Sequence, residues 1–302
     1  MDEDCEMSTT EVTSDASAEP KLKPKDYKSS LKPVWCPGCG NFAVLNALAQ
    51  AFADLQIPPH EIAVITGIGC SSRLPGYLST YGFNALHGRA VPIAIGTKLA
   101  RPATTVVAAG GDGDGFSIGG GHLPHAARRN VDITYVVMDN RIYGLTKGQM
   151  SPTTPLESYT STTIYGSYDP PVNMIGYVLA YGAGFIARGF AGNIKQLTSL
   201  IEQGIQHRGF AFIQVLSPCI TYRGQEEYTV IKAATRELPE GYDPTDKRAA
   251  WEIAENSKDL YCGLIHLNNS LVPYEKRLEQ NREAAMASGV KPLDRLIDIF
   301  RP

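Results

Sequence analysis

The sequence lacks the long apolar runs, the basic excess and the dense cysteines that mark several classes of protein. No stretch approaches the roughly 18 consecutive apolar residues that a membrane-spanning helix requires. The formal net charge is −3, so there is no basic excess of the kind that nucleic-acid-binding proteins direct at phosphates. Six cysteines in 302 residues are too few for a disulfide scaffold. These absences favour a cytoplasmic protein that binds neither membrane nor nucleic acid.

The first 20 residues lack basic side chains, hold seven acidic ones and are rich in Ser, Thr and Ala. A secretory signal begins with basic residues and continues with apolar ones, so this segment is not predicted to be one. It also has little apolar mass to bury. We therefore predict an acidic, disordered tail over residues 1–30, one α/β domain over 31–225, and a C-terminal extension over 226–302 that packs on the domain or on a partner subunit.

The middle of the chain alternates helical and strand patterns. From Asn41 the apolar residues recur at helical spacing until Pro58 and Pro59 end the helix. Almost continuously apolar segments, expected for strands covered on both faces, predict strands at 62–66, 104–109, 133–138 and 210–216. Further helices are predicted at 174–188, 194–207, 246–256 and 274–286. This alternation predicts an α/β fold built on a doubly wound parallel sheet.

A glycine-rich turn over residues 110–115 follows the second predicted strand and contains two aspartates. Asn140 stands 28 positions after Asp112, at the end of the next strand. Mg²⁺ prefers hard oxygen ligands and leaves part of its coordination sphere to phosphate and water. Asp112, the Asn140 side chain and the Ile142 carbonyl could supply the protein's share, so the pattern predicts a site for a divalent metal and a diphosphate. A Gly-Asp-Gly sequence is also a common turn, which leaves an ordinary loop as the alternative.

Four cysteines occupy positions of the same kind. Cys36 and Cys39 form a Cys-x-x-Cys just before the first helix, while Cys70 and Cys219 each lie a few residues beyond an apolar strand. Ligands of an open parallel sheet bind beyond the carboxyl ends of its strands, so we expect these thiols at the same edge as the metal and diphosphate motif. They could form a redox dithiol, a [4Fe-4S] site or a zinc site, although zinc sites usually show two Cys-x-x-Cys pairs. Ordinary buried cysteines would not explain the neighbouring glycines.

Together these motifs resemble the β subunit of a 2-oxoacid:ferredoxin oxidoreductase, in the two-subunit form whose β chain binds thiamine diphosphate, Mg²⁺ and one [4Fe-4S] cluster. The spacing of the glycine-rich turn and Asn140 resembles the thiamine diphosphate signature. The matching blocks cover about residues 33–224 in the family's order and lie at 36–40, 67–71, 87–90, 96–100, 110–114, 139–149 and 217–219. The resemblance implies a thiamine diphosphate-binding fold and favours the iron–sulfur interpretation of the cysteines.

The resemblance also implies roles for individual residues. It implies that Asp112, Asn140 and Ile142 hold Mg²⁺. The implied cluster ligands are Cys36, Cys39, Cys70 and Cys219. The implied cofactor contacts are Gly69, Cys70, His87, Gly111, Asp112, Gly113, Asp114, Asn140, Ile142, Tyr143, Gly144 and Leu145. His87 could equally be structural, and Asp114 is expected to organise the glycine loop.

An activity and a set of partners follow from the same resemblance. It implies oxidative decarboxylation of a 2-oxo acid with coenzyme A, giving acyl-CoA, CO₂ and reduced ferredoxin. Thiamine enzymes use a glutamate carried by a second domain of similar fold, and one βα array leaves no room for it. An α subunit is therefore expected to supply it, in an α₂β₂ assembly. The cysteines suffice for one cluster, so electrons are expected to pass directly to ferredoxin.

Two basic residues bear on the choice of substrate. Arg73 follows Cys70 by three positions and Lys147 lies in the loop after the Mg²⁺ ligands, so both join His87 as candidate catalytic residues. A cation there would favour the distal carboxylate of 2-oxoglutarate, because charge-assisted hydrogen bonds are about twice as strong as neutral ones. Alternatively, Arg73 and Lys147 contact coenzyme A or the α subunit. In that case the substrate could be pyruvate or a broad range of 2-oxo acids. The alternative from another class is a non-redox thiamine-dependent decarboxylase or carboligase subunit with structural zinc.

Overall fold

A computed structural model describes residues 20–256, 258–289 and 293–301 of the chain. Its centre is an eight-stranded sheet with helices on both faces. The strands are β1 Ile62–Thr66, β2 Tyr81–Asn84, β3 Thr105–Gly111, β4 Thr134–Asp139, β5 Phe185–Phe190, β6 Ala211–Leu216, β7 Thr235–Glu237 and β8 Leu260–Leu267. The helices are α1 Asn41–Asp54, α2 Ala90–Ala100, α3 Asp112–Phe116, α4 Leu123–Arg129, α5 Met174–Ala180, α6 Ile194–Gln206, α7 Ile220–Arg223, α8 Glu226–Ala234, α9 Lys247–Glu255, α10 Tyr274–Ala287 and α11 Leu293–Asp298.

The strand order across the sheet is β2-β1-β3-β4-β6-β5-β8-β7. Neighbouring strands from β2 through β5 are parallel, β8 runs antiparallel to β5, and β7 is parallel to β8. The predicted α/β fold with its doubly wound sheet is therefore confirmed, with the difference that one edge is mixed. The four predicted strands correspond to β1, β3, β4 and β6.

Two apolar layers cover the sheet, because successive side chains of a strand point to opposite faces. On one face α1 and α6 pack against strand residues such as Val107 and Val215. On the other face α2, α4, α5 and α9 pack against residues such as Ala108 and Phe212. Phe212 is fully buried, so truncating it to alanine should cost about 3–5 kcal/mol. This double covering leaves the carboxyl ends of the strands as the edge where loops can assemble a site.

The prediction of one helix over 174–188 is wrong. Helix α5 ends at Ala180, Gly182 adopts a left-handed φ of +77°, and the chain continues into β5. Every residue of β5 is buried, and this strand pairs with β6 on one side and β8 on the other. A short apolar run fits a buried strand as well as a buried helix, so periodicity alone could not separate the two.

The packed structure begins before the predicted domain boundary at residue 31. Tyr27 lies in a short 3-10 helix, is fully buried against Phe52 of α1, and donates its hydroxyl hydrogen to the Ile57 carbonyl at 2.8 Å. Residues 1–19 of the predicted tail lie outside the described residues. In the predicted C-terminal extension β7 and β8 join the sheet as its edge strands and α9 packs on one face of it, whereas the described side chains of α10 are not buried. No helix within the described ranges is long and apolar enough to span a membrane.

Candidate functional site

Four strand ends meet at one edge of the sheet. The parallel register aligns the last residues of β1, β3, β4 and β6. Beyond these ends the chain carries Cys70 after β1, Asp112 after β3, Asn140 after β4 and Cys219 after β6. The structure therefore places the predicted metal and cofactor residues at a common edge, as the strand directions require.

Asp112 begins α3 directly at the end of β3 and is 1% exposed. Its Oδ1 accepts a hydrogen bond of 3.4 Å from the Asn140 N–H, and its Oδ2 accepts one of 2.8 Å from the Thr153 hydroxyl. Burial, followed by the charge of the neighbouring Asp139, raises the pKa of Asp112 to about 7. Two buried carboxylates this close need a positive partner if both are to be ionised, because desolvation and like charge disfavour the anions.

Thr153 lies between these two carboxylates. Its hydroxyl oxygen is 2.8 Å from Asp112 Oδ2 and 2.9 Å from Asp139 Oδ1. A hydroxyl has one hydrogen to donate, so it can satisfy only one of the two carboxylates at a time. The remaining acceptor suits a divalent cation such as Mg²⁺, which takes carboxylate oxygens as ligands.

The loop after β4 is folded against the glycine-rich turn. The Asn140 side-chain oxygen accepts a hydrogen bond of 3.1 Å from the Ile142 N–H. The Tyr143 hydroxyl donates to the Gly113 carbonyl at 3.0 Å, and a Cβ at Gly113 would clash with the Tyr143 ring. Asp112 and Asn140 are therefore adjacent as predicted, and Ile142 is buried beside them.

The Asp114 carboxylate is directed at the backbone of two other loops. Its Oδ1 accepts hydrogen bonds from the Ile68 N–H at 2.9 Å and the Gly88 N–H at 2.7 Å. Its Oδ2 lies against Gly67, where a Cβ would not fit, and has no hydrogen-bond partner among the residues described. Asp114 thus ties the loop after β1 to the loop before α2. Its expected role in organising the glycine loop stays a prediction.

His87 and Gly69 lie on the two loops that Asp114 joins. Gly69 precedes Cys70 and has a φ of +151°, an angle that L side chains rarely adopt. The ring centroids of His87 and Tyr143 are 6.0 Å apart. Burial raises the pKa of Asp114, and the nearby His87 opposes this shift. His87 therefore lies among the predicted site residues rather than apart from them.

The Cys-x-x-Cys loop packs directly on the loop after β6. The Gly40 N–H donates to the Pro218 carbonyl at 3.3 Å, and a Cβ at Gly40 would clash with Ser217. Gly38 adopts a left-handed φ of +81° and lies against the Ile220 side chain. Glycine is required at both positions because of this close approach, which brings two cysteine-bearing loops together.

Trp35 joins the third cysteine-bearing loop to the other two. Its ring N–H donates to the Cys70 carbonyl at 2.6 Å. The ring itself is nearly buried and packs edge-on against Phe42 and Tyr77. The residue next to the Cys-x-x-Cys thus fixes the backbone of Cys70.

The four predicted cluster cysteines are neighbours in space. The Sγ atoms of Cys70 and Cys219 lie 3.6 and 3.8 Å from the point where a Cβ at Gly144 would be. Burial raises the pKa of Cys39 to about 11, and repulsion from the thiolates of Cys219, Cys70 and Cys36 adds to this rise. Within the described ranges, no three Cys, His, Asp or Glu side chains already form a group that could hold a metal ion. The thiols are thus close together without being arranged around a single ion.

Arg73 and Lys147 are exposed at the margin of these thiols. Burial raises the pKa of Cys70, and the nearby charge of Arg73 acts against that rise. Lys147 has a left-handed φ of +78°, and its N–H donates to the Gly144 carbonyl at 3.2 Å. Leu145, in the same turn, is 44% exposed. Both predicted substrate-binding cations therefore lie where a ligand from solvent could reach them.

Three buried polar residues near Asp112, namely Thr153, Gln214 and Arg188, were not identified from the sequence. Thr153 and Gln214 each donate a hydrogen bond to Asp139, and Arg188 donates one to Gln214. Gln214 and Arg188 interrupt apolar strands, and that interruption is the signal that could have found them, because a buried polar side chain needs a partner. Thr153 lies in a loop without a motif, so no signal marks it.

Two protein families match parts of the chain. Residues 67–215 match the family described as "Thiamine pyrophosphate enzyme, C-terminal TPP binding domain", and this region includes the glycine-rich turn and Asn140. Residues 219–283 match the family described as the C-terminal part of the pyruvate ferredoxin oxidoreductase beta subunit, and this region begins at Cys219. The two matches together cover most of the chain from the end of β1 to α10.

Individual relatives are similar over most of the chain. The 2-oxoacid:ferredoxin oxidoreductase 2 subunit beta of Aeropyrum pernix is 38% identical over 286 residues, covering 91% of this chain and 92% of that protein. The 2-oxoglutarate oxidoreductase subunit KorB of Mycobacterium tuberculosis is 45% identical over 197 residues, covering 65% of this chain and 53% of that protein.

A solved structure is also similar in fold. It is a 2-oxoglutarate:ferredoxin oxidoreductase from Magnetococcus marinus with 2-oxoglutarate, coenzyme A and succinyl-CoA bound. One of its chains superimposes with a TM-score of 0.88 at 44% identity, covering 93% of this chain and 97% of that chain. From the site geometry and these similarities, the chain belongs to the family of 2-oxoacid:ferredoxin oxidoreductase beta subunits.

Proposed function

We propose that this chain is the β subunit of a 2-oxoglutarate:ferredoxin oxidoreductase, which converts 2-oxoglutarate and coenzyme A to succinyl-CoA and CO₂ while ferredoxin takes up the electrons. The observation that carries the proposal is the meeting of two groups at one sheet edge. These are the paired carboxylates at Asp112 and the four cysteine thiols, of which those of Cys70 and Cys219 lie beside Gly144. Relatives named for 2-oxoglutarate favour that substrate over pyruvate or a broad range.

The carboxylate group is the proposed Mg²⁺ and thiamine diphosphate site. When bound, thiamine diphosphate supplies the carbon nucleophile and the electron sink that decarboxylation of a 2-oxo acid needs. Asp112, the Asn140 amide and the Ile142 carbonyl would hold Mg²⁺. Gly113 and Gly115 have no Cβ, and this lets the Tyr143 and Tyr135 rings pack directly on the turn. Tyr143 braces this turn through its hydrogen bond to the Gly113 carbonyl.

The thiol group is the proposed [4Fe-4S] site, with Cys36, Cys39, Cys70 and Cys219 as ligands. Each thiolate of such a cluster binds a different iron atom. The ligands must therefore be neighbours without converging on one ion. Cys70 and Cys219 both lie beside Gly144, and Cys36 and Cys39 share one loop, which supports such a site. Cys36 is exposed, so a cluster held there would lie close to the surface from which ferredoxin accepts electrons.

The remaining parts of the site come from partners. An α subunit supplies the glutamate that activates thiamine diphosphate, in an α₂β₂ assembly, and the C-terminal extension over 226–302 packs on the domain or on that subunit. Arg73 and Lys147 bind the distal carboxylate of 2-oxoglutarate, since both are exposed beside the thiols. His87, whose ring centroid is 6.0 Å from that of Tyr143, would face the cofactor. A cytoplasmic location stays a prediction.

The test is purification of the chain with its α subunit under anaerobic conditions. The complex should be brown with broad absorbance at about 400 nm, as a [4Fe-4S] cluster gives. It should reduce a viologen dye with coenzyme A and 2-oxoglutarate in preference to pyruvate or 2-oxobutyrate. A colourless complex that contains zinc and decarboxylates without electron transfer would contradict the proposal. A brown complex that prefers pyruvate would contradict the substrate alone.

A further inference from the structure

A series of buried polar side chains runs from the interior of the sheet to the Asp112 site. Arg188 Nε donates to Gln214 Oε1 at 2.8 Å, and Gln214 Nε2 donates to Asp139 Oδ2 at 2.8 Å. Asp139 Oδ1 is 2.9 Å from the Thr153 hydroxyl, which in turn contacts Asp112. All five side chains are buried, so the series is shielded from water along its whole length.

The sheet itself sets the geometry of this series. In the parallel register Arg188 of β5 is opposite Gln214 of β6, which is opposite Val137 of β4. Asp139 lies two positions beyond Val137 and therefore faces the same side of the sheet, because side chains alternate along a strand. Three neighbouring strands thus place the guanidinium, the amide and the carboxylate side by side.

Arg188 has an unusual environment for a cation. Among the described residues, no carboxylate lies within ion-pairing distance of its guanidinium. Its other hydrogen bond is to the Tyr261 carbonyl at 3.3 Å. A buried charge is costly unless hydrogen bonds and an opposite charge compensate it. Gln214 connects Arg188 to one carboxylate, that of Asp139.

The direction of the hydrogen bonds is fixed by Arg188. A guanidinium can only donate, so the Gln214 oxygen must face Arg188 and the Gln214 NH₂ group must face Asp139. We propose that Arg188 is a positioning residue that, through Gln214, holds the Asp139 carboxylate and with it Thr153 and the adjacent Asn140 for metal binding at Asp112. This inference rests on the proposed Mg²⁺ and thiamine diphosphate site.

The test measures metal binding to the α–β complex after its divalent metal has been removed with a chelator. Mn²⁺ is added with thiamine diphosphate, and free Mn²⁺ is followed by its electron paramagnetic resonance signal. Arg188→Met should weaken Mn²⁺ binding about 10- to 100-fold, the usual effect of losing an outer-shell partner of a metal ligand. The iron content should not change. Arg188→Lys still donates a hydrogen bond toward Gln214 and should recover part of the affinity.

Lys98→Met is the matched control. Lys98 is also a buried cation, but it pairs with Asp132 at 2.9 Å and donates to the Thr104 carbonyl just before β3, at the opposite edge of the sheet. Its removal should lower the melting temperature and leave Mn²⁺ affinity unchanged. A change of Mn²⁺ affinity in Lys98→Met as large as in Arg188→Met would mean that any buried cation matters, and this would overturn the proposal.

Gln214→Met supplies a second and independent variant. It removes the amide link but keeps the charges of Arg188 and Asp139, so the same loss of Mn²⁺ affinity is expected. The double variant Arg188→Met with Gln214→Met should bind Mn²⁺ no more weakly than either single variant. If Arg188→Met does not assemble with its partner, Gln214→Met decides, and wild-type Mn²⁺ affinity in it overturns the proposal. A wild-type complex that binds thiamine diphosphate without any divalent metal would instead contradict the proposed function.

Discussion

The carboxylate site at Asp112 and the thiol site formed by Cys36, Cys39, Cys70 and Cys219 share a sheet edge but are built differently. Asp112 and Asp139 are almost completely buried and are bridged by the Thr153 hydroxyl, and Gln214 donates to Asp139 from behind. The thiols stand on three loops that are joined by a backbone hydrogen bond, by close glycine packing and by the Trp35 ring N–H.

The difference follows from the chemistry of the two groups. A buried carboxylate is costly unless hydrogen-bond donors or a cation contact it, so the interior of the sheet has to supply such donors. Burial raises the pKa of Cys39, Cys70 and Cys219, so these thiols can stay neutral and lie together without a counter-charge. We therefore expect metal binding at the carboxylate site to depend on the buried residues that contact Asp139. Cluster binding at the thiol site should depend on each cysteine ligand.

The largest expected effect is on the thiol site. Cys219→Ser should lose most of the iron and sulfide and all electron transfer, because a hydroxyl is a harder and poorer donor for iron than a thiolate. Thiamine diphosphate binding should survive. Cys262→Ser is the control, since Cys262 is buried on β8 and should not bind iron. Full iron content with normal electron transfer in Cys219→Ser would exclude Cys219 as a ligand.

Asp112→Ala should disrupt the carboxylate site. Removing a direct metal ligand should weaken thiamine diphosphate binding by more than about 100-fold, the upper end of the effect of an outer-shell change. The iron content should stay at the wild-type level. Asp132→Ala is the control, because Asp132 pairs with Lys98 and precedes β4. Cofactor affinity measured by titration calorimetry should be retained in the control, and retention in Asp112→Ala would refute the assignment.

The third prediction concerns the exposed cations at the margin of the thiols. Arg73→Gln or Lys147→Gln should lower kcat/KM for 2-oxoglutarate about 10- to 100-fold more than for pyruvate, since a hydrogen bond to a charged group contributes about 1.5–3 kcal/mol. Steady-state assays with both substrates give the ratio. An equal loss for both would point to coenzyme A or the α subunit as the partner of these residues.

The smallest expected effect concerns how the thiol loops are joined. Trp35→Phe keeps an aromatic ring but removes the hydrogen bond to the Cys70 carbonyl, which should cost about 1 kcal/mol in the free energy of unfolding. Cluster loss on exposure to air should become faster. Trp251→Phe is the control and should leave cluster lifetime unchanged, because Trp251 lies in α9 and packs on the opposite apolar face of the sheet from Trp35. Equal cluster lifetimes in the two variants would show that Trp35 does not secure the Cys70 loop.

Much of the site could be predicted from the sequence because its residues are marked by local chemistry. Asp112 sits in a glycine-rich turn, Asn140 follows an apolar strand, and Cys36 and Cys39 form a compact motif. The rule that ligands bind beyond the carboxyl ends of parallel strands then placed them together. Strand β5 was misassigned because a short apolar run has no distinctive period, and Arg188 within it was lost with that error.

The sequence by itself determined the α/β class, the strands that carry the site and the loops that meet at the sheet edge, since these depend on short-range patterns. The tertiary structure alone decided which buried polar residues contact the site residues. The contact of Thr153 with both carboxylates, and the alignment of Arg188, Gln214 and Asp139 across three strands, join positions far apart in the chain. The alignment arises from the strand order, which makes β4, β6 and β5 neighbours although they are separated in the chain.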